Sequence, residues 1–526
     1  MSKTIKITIV IDDEKSNTES AYELNPTVVV THDSSMTLMS TLLQNHLISG
    51  SFCGGRGDCG RCRVQFIKGA VLPTALERSV MEPEELRQGY RLACLARPKD
   101  DCVIRLALIE AAQIDIVSEM MDVTDNIDHI SQHSDIAEYS KADVMELKKC
   151  ETGLIAVDLG TTTIAMQLMD LKDGQVLDSY CEMNPQRRYG ADVLSRIKAS
   201  VEGNREELRR LVLEVLERGT ARFEKYASMH GMSVCGMCIA GNTTMEHLLM
   251  GYDVSALGCS PFTPVEIGLQ EYHHPAWGFR VWLAPGISAF VGGDITAGLY
   301  ALNMLSARGL QNADGATLLI DLGTNGEMAV TDGSRIIVTA TAAGPAFEGG
   351  AGAGIVGSDM IACAASLLHN GILDETGLLA EPYFTEGIRV GSPAVMLRSQ
   401  DIRDLQMAKA AVRAGVEILW KRIGAPEIKR VYLAGGFGYY LDVDSAFDIG
   451  LLPESMRGRV QAVGNSSLAG AFRMGRDLCQ CRIDRESLQQ SLSLVESVNL
   501  AEQEGFDRLY VQHMNFAQES VRVHHK

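Results

Sequence analysis

At 526 residues the chain exceeds the roughly 250–300 residues at which single hydrophobic cores stop growing, so at least two domains are expected. Hydrophobic residues at 46% and charged residues at 22% sit near globular averages, which argues against long disordered tracts except where charge dominates locally. A formal net charge of −19 repels phosphate backbones and anionic lipid, and no basic patch offsets it, so nucleic acid and membrane are disfavoured as partners and proteins are favoured.

The opening MSKTIKITIVIDDEK has no apolar core or small-residue cleavage site, and no segment reaches roughly 18 uninterrupted apolar residues, so a cytoplasmic protein is expected. In a reducing compartment thirteen cysteines are poor candidates for a disulfide framework, and clustered ones are the first candidates for metal ligands. Residues 3–104 read as a small β-rich unit, with Lys3–Val10 alternating as a strand, Thr27–Val30 as a second, and Met36–Leu47 helical.

Within this unit SFCGGRGDCGRC carries Cys53, Cys59 and Cys62 at C-x5-C-x2-C spacing, and Cys94 follows in RLAC after 31 further residues. Four thiolates hold a [2Fe-2S] cluster when a backbone wraps them closely, and Gly54, Gly55, Gly57 and Gly60 provide that freedom. Structural zinc ordinarily shows two C-x2-C-like pairs, whereas this loop offers one, so a zinc site is disfavoured. The spacing is similar to that of adrenodoxin-type and bacterial [2Fe-2S] ferredoxins. Cys102 is not needed.

Between Glu110 and Lys149 the chain turns acidic and loses periodicity, which suits a solvated linker. The expected division is therefore 1–105 for the cluster domain, 106–150 for the linker and 151–526 for a second domain. From Leu154 onward, short apolar strands with Gly-rich turns alternate with amphipathic helices, the pattern of a multidomain α/β protein. Leu208, Leu211, Val212, Val215 and Leu216 line one helical face, as do Leu405, Ala408, Val412, Val416 and Leu419, and both stripes are expected to face the core.

LIAVDLGTTT at 154–163 and LLIDLGTNGE at 318–327 form an internal repeat, each an apolar strand ending in Asp-x-Gly-Thr. Such an end presents a carboxylate and then a tight turn of N–H groups and hydroxyls. Asp158 could hold magnesium or its water while Gly160, Thr161, Thr162 and Thr163 cradle phosphate oxygens, and Asp321, Gly323, Thr324, Asn325 and Gly326 supply a second copy. VYLAGGFG at 431–438 runs into Gly435, Gly436 and Gly438, where bare backbone lets adenosine lie against the turn. Asn242 and Glu348 stand in other Gly-rich turns that could reach the cleft. Cys235 and Cys238 in SVCGMCIAG, and Cys479 and Cys481, read as small hydrophobes in buried segments rather than redox dithiols. There is neither a G-x-x-x-x-G-K-[ST] loop nor a clear strand-linked G-x-G-x-x-G.

In that order, two phosphate loops and a Gly-Gly loop resemble the ASKHA superfamily of acetate and sugar kinases, Hsp70 and actin. A [2Fe-2S] loop ahead of an ASKHA domain in turn resembles the reductive activators of corrinoid proteins, through SFCGGRGDCGRC with RLAC, VDLGTTT, NPQRRYGADVLSRI, AGNTTMEHLLMG, FVGGDITAGL, LLIDLGTNGE, AAGPAFEGG, VYLAGGFG and GNSSLAGA.

The resemblance implies a β-grasp ferredoxin domain, a two-lobed ASKHA domain, and ATP-dependent reduction of a Co(II) corrinoid to Co(I). It implies cluster ligation by Cys53, Cys59, Cys62 and Cys94, and magnesium and ATP handling by the loop residues above together with Gly344. The implied partners are a corrinoid protein of a methyltransferase system and an external ferredoxin or reductase, and a homodimer is compatible with the sequence. Only 58 residues separate Cys94 from Gly153, which reads as too few for a linker plus the separate middle domain of longer members. Two other readings fit parts of the pattern: a small-molecule kinase with a redox-sensing appendage, and an ATP-gated redox sensor.

Overall fold

The computed structural model describes residues 4–12, 27–34, 36–44, 62–69, 71–81, 83–107, 152–190, 192–305, 315–323, 325–342, 357–390, 395–435 and 441–516. The chain divides into two compact units, residues 1–119 and 120–526. The linker expected at 106–150 lies almost wholly outside the described residues.

In the first unit, β1 (Thr4–Asp12), β2 (Thr27–Asp33), β3 (Arg63–Lys68), β4 (Tyr90–Leu92) and β5 (Cys102–Ala107) form a sheet in the order β2-β1-β5-β3-β4. Strands β1 and β5 run parallel at its centre, and the other pairings are antiparallel. Helix α1 (Leu38–Gln44) packs Leu38, Met39 and Leu42 on Ile7, Ile9 and Ile104, a core that alternation along β1 selects. The shorter α2 (Glu77–Val80) and α3 (Pro83–Arg87) join β3 to β4. One helix crossing a mixed sheet is the β-grasp arrangement expected from the sequence.

The second unit holds two six-stranded sheets built alike. The first comprises β6 (Thr152–Leu159), β7 (Thr163–Asp170), β8 (Val176–Met183), β9 (Ser233–Gly241), β10 (Gln270–Tyr272) and β11 (Arg280–Leu283), in the order β10-β11-β9-β6-β7-β8. The second comprises β12 (Ala316–Leu322), β13 (Gly326–Thr331), β14 (Ile336–Thr341), β17 (Ile428–Ala434), β18 (Val460–Gly464) and β19 (Val495–Ser497), in the order β18-β17-β12-β13-β14-β19. Each contains a three-stranded antiparallel meander whose first strand also pairs in parallel with a later strand, β6 with β9 and β12 with β17. The two Asp-x-Gly-Thr segments are the first hairpins of these meanders, so the sequence repeat is a repeat of architecture. A small hairpin, β15 (Ile388–Val390) and β16 (Val395–Leu397), stands apart from both sheets.

The helices of this unit are α4 (Val193–Ala199), α5 (Arg205–Met229), α6 (Thr243–Met250), α7 (Gly293–Ala301), α8 (Gly357–His369), α9 (Tyr383–Glu386), α10 (Ser399–Arg422), α11 (Val443–Asp448), α12 (Ser466–Cys479), α13 (Arg485–Leu492) and α14 (Phe506–Gln512). The apolar stripe of α5 meets Ile155, Val157 and Leu159 on one face of the first sheet. That of α10 meets Leu318, Ile320 and Leu322 on one face of the second. Each fully buried aliphatic side chain in these stripes contributes about 2 kcal/mol.

The opposite faces are covered in exchange. Helix α7, which follows the first sheet, packs Ile295 and Leu299 against Leu319 and Val338 of the second. Helix α12, which follows β18 of the second, packs against β6 and β9 of the first. The two helices touch through glycines: a Cβ on Gly470 would stand 1.9 Å from the Ala297 carbonyl oxygen, and one on Gly298 would meet Ser466 Oγ at 2.8 Å. Among the described residues no helix is long and apolar enough to cross a membrane.

Candidate functional site

Of the four expected cluster ligands, Cys53 and Cys59 lie outside the described residues, and Cys62 and Cys94 lie within them. Although far apart in sequence, the latter two are joined by register. Arg63 pairs with Leu92 across β3 and β4, and the Ala93 N–H donates to the Cys62 carbonyl at 2.7 Å. Their sulfurs are buried and 3.3 Å apart. Two thiolates on one tetrahedral metal at about 2.3 Å would stand about 3.8 Å apart, close to the separation found here, so the pair is compatible with holding a metal.

The turn that carries Cys94 is braced from two sides. Leu38 and Met39 at the start of α1 donate to the Ala96 and Ala93 carbonyls at 2.8 and 2.9 Å. The buried Glu77 carboxylate accepts from the Leu92 N–H at 2.8 Å and from the Thr74 N–H and hydroxyl at 2.7 and 2.9 Å. Cys102, on β5, has its thiol pushed up to about 11 by burial and then by Asp101, which keeps it protonated and structural.

In the second unit, Asp158 at the end of β6 is half-buried, and its oxygens accept from Asn465 Nδ2 at 2.7 Å and Ser467 Oγ at 3.0 Å. Burial pushes its carboxyl up, and these two hydrogen bonds oppose the shift. The carboxylate of the first sheet is thus held by the N-terminus of α12, which belongs to the second.

The loop after Asp158 is clamped by its carbonyls. Asn184 Nδ2 donates to the Gly160 oxygen at 2.9 Å, the Asn184 N–H to the Thr162 oxygen at 2.8 Å, and Arg196 Nη2 to the Thr161 oxygen. Gly160 is required sterically, because a Cβ there would lie 2.6 Å from the Thr163 oxygen. Asn242 Nδ2 donates to Thr161 Oγ1 at 2.8 Å.

Three asparagines share one design. Asn184, Asn242 and Asn465 each accept a backbone N–H at the start of a helical turn through Oδ1 and reach the site through Nδ2. The cap fixes the side chain before it meets the loop.

Asp321 ends β12, with Gly435 beside it at φ +88°, where a Cβ would lie 2.6 Å from Asp321 Oδ1. In the second loop the Gly323 N–H donates to the Asn325 oxygen at 2.9 Å, and Gly326 opens β13 opposite Leu322. Thr324, Gly344, Glu348 and Gly436 lie outside the described residues.

Three further carboxylates join Asp158 and Asp321. Asp294, in the first turn of α7, is pushed up to about 7 by burial and by the Asp158 charge. Asp321 is pushed up to about 8 by burial, then Asp294, then Asp158. Glu246 and Glu327 are driven well above the ordinary range by burial and by Asp294. Glu246 accepts from the Gly241 N–H at 3.1 Å and lies beside Gly293, whose Cβ would stand 2.4 Å from Glu246 Oε1. These five acids, Glu246 and Glu327 buried and Asp158, Asp294 and Asp321 half-buried, sit where burial and neighbouring carboxylates favour their protonated forms, a bias that a divalent cation would reverse. Among the described residues no three His, Cys, Asp or Glu groups form a ready metal shell. Magnesium keeps several waters and takes one or two carboxylates together with phosphate oxygens.

The sequence expectation included Asp158, Asp321 and Asn242 but not Asp294, Glu246, Glu327, Asn184, Arg196, Asn465 or Ser467. All seven fall in the motif segments, and of them only Glu327, which closes LLIDLGTNGE, stands in a local phosphate-loop pattern.

Residues 153–307 match the RACo middle region, residues 315–353 and 350–526 match the C-terminal domain of RACo, the ASKHA domain, and residues 23–99 match the 2Fe-2S iron-sulfur cluster binding domain. The middle region is therefore present as the half that carries Asp158, and the expectation that the chain is too short for it is corrected. The short stretch before Gly153 shortens only what precedes it.

The chain is 29% identical over 390 residues to the corrinoid activation enzyme RamQ of Eubacterium limosum, covering 60% of this chain and 63% of RamQ, so the match spans less than two thirds of that relative. It is 22% identical over 436 residues to the [Co(II) methylated amine-specific corrinoid protein] reductase of Methanosarcina barkeri, covering 69% and 76%. A solved structure of a reductive activator for corrinoid, iron-sulfur protein superposes with a TM-score of 0.60 at 25% identity, covering 97% of this chain and 98% of that one. With both RACo regions matched in sequence behind a [2Fe-2S] domain, the chain belongs to the RACo-like proteins, in which a ferredoxin-type domain is fused to a two-lobed ASKHA-type domain.

Proposed function

We propose that this protein is an ATP-dependent reductive activator that passes one electron to the Co(II) corrinoid of a partner protein, regenerating Co(I) for methyl transfer. The observation that carries the reading is the pairing, in one chain, of a buried cysteine pair at Cys62 and Cys94 with a carboxylate cluster between two repeated sheets, in a protein similar over nearly its whole length to a corrinoid activator.

Cys53, Cys59, Cys62 and Cys94 would ligate a [2Fe-2S] cluster, which when bound supplies reversible one-electron storage. Glu77 and the start of α1 hold the Cys94 turn in place for it. Electrons would come from an external ferredoxin or reductase in the cytoplasm.

Asp158 and Asp321 would take Mg2+ through its waters, one from each sheet. Gly160, Thr161, Thr162 and Thr163 would meet phosphate oxygens from one side and Gly323, Thr324, Asn325 and Gly326 from the other, with Asn242, Gly344 and Glu348 at the margin. Gly435 and Gly436 would leave room for adenosine. Buried Arg196 adds positive charge beneath the first loop, where it favours an anion.

Each ~59 mV by which an acceptor lies below its donor lowers one-electron transfer tenfold, so a low-potential corrinoid needs coupling to ATP. ATP provides it only by binding two arrangements of the two sheets with different affinity, which fits a site split between them. Steady-state ATP hydrolysis measured with and without the Co(II) partner tests this. Stimulation by the partner is expected, and a rate indifferent to it would overturn the coupling.

A further inference from the structure

Away from the acidic pocket, two cysteines read from the sequence as small hydrophobes meet across the fold. Cys235 lies on β9 of the first sheet and Cys479 ends α12, and their sulfurs are 3.7 Å apart. The approach is constructed. Gly153 pairs with Val234 and Leu154 with Gly236, so Cys235 is the extra residue of a β-bulge, a device that re-aims a side chain. Gly236 clears the way, since a Cβ there would lie 3.2 Å from Cys479 Sγ and 2.7 Å from the Trp282 ring. Both cysteines are half-buried and reachable by a small reagent, whereas Cys238 is fully buried.

We infer that Cys235 and Cys479 form a reversible disulfide that anchors the C-terminal end of α12 to β9 and thereby slows ATP turnover at Asp158. The hydrogen bond between the thiols lowers the proton affinity of Cys235 and raises that of Cys479, so Cys235 is the attacking thiolate and Cys479 retains its proton until the second step. The oxidant is a low-molecular-weight disulfide. Cys235 attacks one of its sulfurs, forming a mixed disulfide and releasing one small thiol. Cys479, losing its proton, then attacks Cys235 Sγ and releases the second small thiol. Two protein thiols and one small disulfide become one protein disulfide and two small thiols, and the electron pair passes to the small molecule.

The consequence runs along a single helix. Bringing the sulfurs from 3.7 Å to bonding distance of about 2.05 Å draws the last turn of α12 toward β9. The first turn of α12 carries Asn465 and Ser467, the donors to Asp158. Displacement of a catalytic group by ~1 Å costs about 100-fold in rate, so a fall of about ten- to 100-fold is expected. The effect on turnover rests on the proposed function; formation of the cross-link does not.

The test treats the full chain with oxidised glutathione under anaerobic conditions, maps disulfides by peptide mass, and measures ATP hydrolysis before and after dithiothreitol. A Cys235–Cys479 cross-link with slowed hydrolysis is expected, reversed by dithiothreitol, and with hydrolysis unaffected by glutathione in Cys479→Ser and Cys235→Ser. A bond from either member to Cys238 or Cys481, or no modification of the pair, would overturn the inference. A cross-link that leaves hydrolysis unchanged would overturn its role in control. If the reduced protein hydrolyses no ATP, the proposed function falls, and the peptide map still decides the cross-link.

Discussion

Replacing Asp321 by Asn tests whether the acidic pocket is held at a cost that depends on pH. The Asp321 carboxyl is pushed up from 3.8 to about 8, chiefly by burial, so in the folded chain it keeps its proton across the range where the unfolded chain has lost it. The folded state then binds more protons than the unfolded state, and the linkage slope is negative. Stability is fully present below about pH 4 and is lost as pH rises toward 8, at up to about 1.4 kcal/mol per pH unit for this one group and on the order of 5 kcal/mol in all.

Asn is isosteric and does not titrate, so Asp321→Asn should show a shallower decline and be the more stable protein at pH 7.5 without ligand. Urea unfolding at pH 5.5, 6.5 and 7.5 measures this. Trp277, Trp282 and Trp420, the chain's three tryptophans, all lie in the second unit, so their fluorescence reports that unit selectively. Saturating Mg·ATP should stabilise the natural protein by about 2.7 kcal/mol at 100 times Kd, and Asp321→Asn by clearly less. Parallel pH profiles, or an Asn variant less stable than the natural protein at pH 7.5, would refute the reasoning.

Other substitutions separate the two units. Asp158→Asn keeps a hydrogen-bonding partner for both Asn465 and Ser467, so it should fold normally while ATP hydrolysis falls about 100- to 1,000-fold, as a rate assay would show. Cys94→Ser should abolish the visible absorbance of the reconstituted protein and spare ATP binding measured by calorimetry, whereas Cys102→Ala should leave the absorbance unchanged. Arg196→Met should weaken ATP binding and cost about 2–3 kcal/mol in urea unfolding, because the Thr161 oxygen and Gln186 Oε1 lose their donor. Gly470→Val should destabilise the second unit by more than about 3 kcal/mol in the same assay, since its side chain would enter the Ala297 backbone of α7.

What the sequence made legible was local. Asp-x-Gly-Thr announces a strand that ends in a tight turn, and the two copies became matching hairpins because the turn chemistry lies within four residues. The 3.6-residue stripes on α5 and α10 were legible for the same reason: periodicity records which face is buried. Cys62 and Cys94 are legible as candidate ligands by residue type, but their contact is set by the register of β3 on β4 and by Glu77, which no spacing rule includes.

The rest of the pocket was not legible, because its partners come from far along the chain. Asn465 and Ser467 reach Asp158 across more than 300 residues. Asp294 follows a Gly-Gly pair at a helix start, a weak signal by itself, and acquires its character only once Asp158 and Asp321 are beside it. Cys235 reads as a strand hydrophobe because alternation gives no warning of a bulge. Asn184 and Arg196 sit in NPQRRYGADVLSRI, a segment that carried the resemblance but suggests no phosphate contact by itself, and their work is done on the carbonyls of another loop.

Coupling of ATP to cobalt reduction in one chain is tested by mixing the reconstituted protein, a strong one-electron donor and a purified Co(II) corrinoid protein without oxygen, and following the cobalt absorbance with and without Mg·ATP. Co(I) should accumulate only when ATP and the cluster-bearing protein are both present. Equal Co(I) formation without ATP, or none with it, would contradict the account.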